Sequence, residues 1–216
     1  MFIFRTFSSA ATPLTRAAGA PGAPRLLGTL LLLLVLGAAP RSYAQGRFMT
    51  KEGRVSFFST SIIEDIEAIN NATASIIDLT SNQFAFVVPI KEFTFKRTLM
   101  QEHFNENYME SDKYPRATFT GRFVDANLAQ LATPGSHTVR AEGDLTLHGV
   151  TRRVAVPATL ELKSGQLQAF ATFNVAPADY NIEVPLLVRE NIAKIVRIRV
   201  VLIADPVVPN AGRAAN

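Results

Sequence analysis

The stretch from Gly135 to Lys163 constrains this chain more than any other. From His137 to Leu147 the odd positions are His137, Val139, Ala141, Gly143, Leu145 and Leu147, and every position between them is polar. From Val150 to Leu162 the even positions are Val150, Arg152, Val154, Val156, Ala158, Leu160 and Leu162, apolar but for the arginine. Period-two alternation marks a strand with one dry and one wet face. The two runs meet at His148-Gly149. A two-residue hairpin turn needs positive φ at its central residues, which glycine gives freely and histidine tolerates. Closing it there sets Leu147 opposite Val150, Leu145 opposite Arg152, Gly143 opposite Val154 and Ala141 opposite Val156. His148 therefore reads as a turn residue rather than a reacting group. Arg152 is either thrown outward by a bulge or is an inward charge awaiting an anionic partner.

Similar alternation recurs along the chain. It is seen in Phe84, Phe86 and Val88; in Ala117, Phe119, Gly121 and Phe123; in Leu167, Ala169, Ala171, Phe173 and Val175; and in Val196, Ile198, Val200 and Leu202. Two less regular strands fit GRVSFFSTS and TASIIDLTS, with turn signals at Ser81-Asn82, Pro134-Gly135 and Ser164-Gly165. About eight antiparallel strands, each with an apolar face, predict an all-β sandwich or closed barrel. One amphipathic helix is expected near residues 97–111. There Met100, Phe104 and Tyr108 share one face and Glu102, Glu106 and Glu110 another, so the helix could lie across a barrel mouth.

The N-terminus carries a different signal. Arg25 precedes LLGTLLLLLVLGAAP, and RSYAQG follows, so a basic flank, an apolar core and a Ser-x-Ala site before Gln45 describe a secretory signal peptide over residues 1–44. The apolar run is shorter than the roughly 20 residues a membrane span needs, so a retained anchor is the weaker reading. The leader also holds Arg5, Arg16, Arg25 and Arg41 and no acid. Of 22 basic and 18 acidic residues, 18 of each remain after cleavage, which leaves no electrostatic case for nucleic acid. With no cysteine, the chain has no disulfide, no thiolate nucleophile and no lipoprotein anchor. The expected product is a periplasmic or secreted domain over residues 45–205, with 206–216 as a flexible tail.

Catalytic motifs are missing. The sequence holds no G-x-S-x-G elbow, no S-x-x-K and no phosphate-binding glycine loop. His103, His137 and His148 have no metal-ligand spacing, and His103 with Glu106 reads as a helix surface. Asp78 reads as a strand-end residue binding backbone. No cofactor is expected, and the chain does not read as an enzyme.

The pieces YPRATFTG (Tyr114–Gly121), GDLTLHGVTRRV (Gly143–Val154) and the apolar strand at Ile192–Ala204 resemble the YceI-like family of exported bacterial proteins. The resemblance runs from about Arg47 to Asp205. It departs from the family at Arg153, where a proline is common. It implies an eight-stranded, lipocalin-like antiparallel barrel able to hold a long isoprenoid, such as a polyprenyl phosphate or a quinone tail, and it implies no established reaction. On the residues themselves, the inward positions Phe86, Val88, Phe119, Phe123, Leu145, Leu147, Arg152, Val154, Val156, Phe173 and Ile198 are the candidate ligand wall. Small residues at Ala117, Gly121, Ala141, Gly143, Ala169 and Ala171 would leave room between the rings. The competing expectation is a stress-related interaction module whose barrel is packed solid and takes no ligand.

Overall fold

The computed structural model describes residues 46–60, 65–124, 127, 130, 133–184 and 193–208. The expected leader and residues 209–216 of the expected tail lie outside them. Among the described residues there are nine strands: β1 (Arg47–Ser59), β2 (Ile66–Asp78), β3 (Gln83–Pro89), β4 (Thr94–Phe95), β5 (Arg116–Val124), β6 (Gly135–Leu147), β7 (Val150–Lys163), β8 (Gln166–Val175) and β9 (Val196–Pro206). All pairings are antiparallel. The order β1-β9-β8-β7-β6-β5-β3-β2 closes through a β1–β2 ladder, giving an eight-stranded barrel with β4 added against β2.

The β6–β7 hairpin has the register its alternation dictates, with Leu147 opposite Val150 and Leu145 opposite Arg152. Its turn has φ of 49° at His148 and 75° at Gly149, so both central residues are left-handed. Strands β1 and β2 are longer than their alternation suggests. Register shifts on either side of Gly53 scramble the period between Thr50 and Val55, and Asn70 to Thr73 face that irregularity.

Asn70 holds the irregular stretch together. Fully buried, it donates from Nδ2 to the Pro89 carbonyl at 2.7 Å and accepts at Oδ1 from the Ala72 N–H at 2.8 Å. Asn70→Ala strands both partners, and a buried polar group left unpaired costs about 1–3 kcal/mol. We expect a loss near 2 kcal/mol in urea unfolding with an unchanged m-value; a midpoint equal to wild type would show that these bonds are dispensable.

One end of the barrel carries the short β2–β3 and β7–β8 turns. Asp78 Oδ1 accepts from the N–H groups of Thr80 and Ser81 at the β2–β3 turn, and its Oδ2 takes Arg47 at 3.1 Å. Burial raises the pKa of this carboxyl, but Arg47 and the two N–H groups outweigh that and hold it below the usual carboxylate value. It is thus a strand-end residue binding backbone. Above these turns the interior is filled by Phe48, Ile77, Phe84, Leu160, Leu167 and Leu202, with their neighbours. Fully burying each such side chain contributes about 1.5–3 kcal/mol.

The other end carries the long connections. Between β3 and β5 runs a short helix, α1 (Thr98–His103), continued by a π-turn (Phe104–Tyr108) in which the Met109 N–H bonds to the Phe104 carbonyl. The helix stops at Glu110, whose φ is 41°. Between β8 and β9 lies a 3-10 turn, Pro177–Tyr180.

Candidate ligand cavity in the upper barrel

The cluster around Phe84, Leu160 and Leu202 fills the lower barrel. Above it is a cavity of about 390 Å³, within the roughly 300–1,000 Å³ range of small-molecule sites. Val55, Val88, Leu145, Leu147, Ile198 and Val200 form part of its wall, and Phe123, Ala141, Leu160 and Leu202 of the lower core close its floor. An interior filled solid by side chains is therefore not what these strands build.

Two aromatic clusters frame the space. Phe84, Phe86, Phe119 and Phe123 come from β3 and β5, with centroids 4.8 Å apart for Phe84–Phe119 and 5.0 Å for Phe84–Phe123. Phe57, Phe93, Phe95 and Phe104 tie the mouth helix to β1 and β4, with Phe104 5.4 Å from Phe57 and 5.0 Å from Phe95. Met100, Phe104 and Tyr108, the apolar face of the helix, all line the cavity. The π-turn adds Met109, buried at 5% exposure, where a regular helix would have carried it off that face.

Of the eleven wall residues expected from sequence, Phe86, Val88, Phe119, Phe123, Leu145, Leu147, Val156, Phe173 and Ile198 line the cavity. Arg152 and Val154 do not. The reason lies in how β7 parts from β8. The two pair only from Ala158 to Lys163, although β8 runs on to Val175 beside β9. Pro157, which has no N–H to give a ladder, stands at the parting.

The 3-10 turn fills the gap with Tyr180, 3% exposed and packed with Leu145, Val175 and Val154. Burial pushes its phenol above the ordinary pKa. Arg152 keeps the Leu145 register without a bulge, yet its side chain is half exposed, donates to the Asp179 carbonyl and stands 4.0 Å from the Asp179 carboxylate. Its anionic partner is a residue of the protein itself.

His148 is a turn residue, as its position between the strands indicates, but it is not solvated. It is 8% exposed, with Nδ1 3.2 Å from the Tyr180 carbonyl oxygen and Nε2 3.3 Å from Glu110 Oε1. The Tyr114 ring stands edge-on at 4.5 Å and lies over Gly149, where a Cβ would come within 2.5 Å of it. One side chain thus joins the hairpin, the helix exit and the 3-10 turn at the rim. Lys113 bonds Glu110 at 3.3 Å and, with His148, holds the Glu110 carboxyl below its usual pKa.

Sequence reasoning missed Phe57, Phe93 and Phe95. The alternation in Phe93-Thr94-Phe95 was available, but two residues are too short to read as a strand. Among the described residues no group of three or more His, Asp or Glu side chains is placed to hold a metal ion. Among the same residues no helix is long and apolar enough to cross a membrane.

The fold has solved counterparts. A polyisoprenoid binding domain from Saccharophagus degradans, implicated in plant cell wall breakdown, superimposes with a TM-score of 0.65 at 16% identity, covering 75% of this chain and 99% of that one. BcnA of Burkholderia cenocepacia gives 0.59 at 16% identity over 70% and 95%. The YCEI protein of Campylobacter jejuni gives 0.54 at 12% identity over 68% and 88%. Comparison with curated proteins finds no match. The model of the YceI-like domain matches residues 39–204, from ahead of β1 into β9. That span takes in the hairpin, the mouth helix and the cavity they enclose, and it places this chain in the YceI-like family.

Proposed function

We propose that the protein is exported and holds an isoprenoid, or a similarly long apolar chain, in the upper barrel, without catalysing a reaction on it. The observation that carries this reading is the cavity itself: an open apolar volume, roofed by an amphipathic helix, above a core that is otherwise tightly filled. Binding of a long chain needs little else. Each buried methylene contributes about 0.8 kcal/mol, so a five-carbon isoprene unit brings roughly 3–4 kcal/mol. Three units offset much of the roughly 4–15 kcal/mol that association costs. The likeness to a domain named for polyisoprenoid binding supports the ligand class. The leader ending near Ala44 supports export.

The test is native mass spectrometry of the full-length gene product expressed in a bacterium and recovered from the periplasm. The expected species begins at Gln45 and carries one apolar lipid, released by solvent extraction. Ligand-free protein that also fails to take up added isoprenoid would remove the reading of the cavity. Retention of residues 1–44 in the cytoplasm would remove export.

A further inference from the structure

The polar side chains at the cavity are few, and they differ in what they have left to offer. Ser59 Oγ accepts the Ala193 N–H, and Thr73 Oγ1 bonds Asn70 Oδ1. Thr118 falls on the outward parity of β5, between Ala117 and Phe119. Tyr108 and His103 remain. Both stand on the mouth helix, both line the cavity, and neither has a hydrogen-bond partner among the described residues. No Lys, Arg, Asp or Glu among the described residues lines it. Arg152, the cation that register alone aimed inward, is engaged by Asp179.

We infer that Tyr108, with the exposed His103 also at the cavity wall, selects a ligand whose head group is uncharged and carries a hydrogen-bond-accepting oxygen, an alcohol or a carbonyl rather than a phosphate. This rests on the proposed binding of an apolar chain and adds which end of it is read, and by what. A phenol is protonated at neutral pH, so Tyr108 has an O–H to donate there, and burial pushes its pKa further up. An anionic diphosphate would have to shed water with no described cation on the wall to replace it, and an unpaired charge in an apolar site is heavily penalised. A neutral oxygen loses little water and gains the phenol. The tail then lies toward the Phe84 cluster and the head stays at the helix.

Three probes with one tail separate the contributions: farnesene, farnesol and farnesyl diphosphate, each titrated into the mature protein by calorimetry. Farnesol should bind roughly three- to tenfold tighter than farnesene, the range one hydrogen bond supplies, and tighter than farnesyl diphosphate. Tyr108→Phe, which removes one oxygen and keeps the ring, should bring the farnesol-to-farnesene affinity ratio, measured on the same variant, to about one. His103→Ala should reduce that advantage in part. A tightest affinity for farnesyl diphosphate would overturn the inference, as would a farnesol advantage that survives both substitutions. Failure of farnesene itself to bind wild type would strike the apolar-chain reading, and the inference built on it with it.

Discussion

Gly143→Ala is expected to lower the melting temperature by roughly 6–12 °C. Gly121 and Gly143 are opposite one another in the β5–β6 ladder. A Cβ on Gly143 would sit 2.1 Å from the Thr120 carbonyl oxygen and 2.7 Å from the Gly121 Cα; one on Gly121 would sit 2.1 Å from the Glu142 carbonyl oxygen. These contacts are with backbone, which cannot swing aside as a side-chain tip would. Forcing two strands of a closed barrel apart is an overpacking defect of about 3 kcal/mol, and for a domain this size each kcal/mol moves Tm by about 2–4 °C. Gly165→Ala is the comparison: nothing lies within 4 Å of its Cβ, and only the φ of 81° is at stake, a strain of about 1–2 kcal/mol. Thermal unfolding of the two variants side by side decides the matter. Equal losses would mean that the close approach at Gly143 relaxes freely. The facing glycines thus serve less to widen the cavity, as their inward parity suggests, than to let two strands cross at short range.

Ala171→Phe should abolish most ligand binding while the barrel stays folded. Ala171 lines the cavity opposite Ala158, which lines it too, so a ring placed there grows into open space rather than into packed core. It would displace about one isoprene unit, roughly 3–4 kcal/mol of burial, and therefore on the order of 100- to 1,000-fold in Kd. Thr172→Phe, one residue on and exposed, adds the same ring to the outer face and should leave affinity alone. Wild-type binding by Ala171→Phe, measured by displacement of a fluorescent isoprenoid, would place the ligand elsewhere.

Strand number, hairpin register and most of the cavity wall were legible because they depend on a single local variable, the face each residue presents. The β6–β7 ladder follows from alternation and one His-Gly turn. The departures come where tertiary packing replaces the ladder. Arg152 and Val154 have inward parity, but β7 has left β8 at that height and Tyr180 occupies the space. Parity along a strand cannot report that its neighbour has parted from it. Gly53 and Asn70 hide the true lengths of β1 and β2, since a bulge resets the period that reading relies on. The role of His148 was half visible. Its φ follows from the turn, but its contacts with Glu110 and Tyr180 span 38 and 32 residues and leave no trace in local spacing.

The closing ladders have a consequence for how the barrel comes into being. β1 is the first strand of the barrel and is flanked by β2 on one side and β9, the last, on the other. Pairs as distant as Phe57 with Ile198 must form before the ring is complete, and contacts of such separation form slowly. Until β9 is synthesised the chain is an open sheet with two free edges and an uncovered apolar face, the kind of surface that recruits strands from other molecules. The container therefore does not exist in any partial form. A chain stopped short of Val196 has no interior, and whatever escorts the nascent protein must shield it to the final dozen or so residues of the domain.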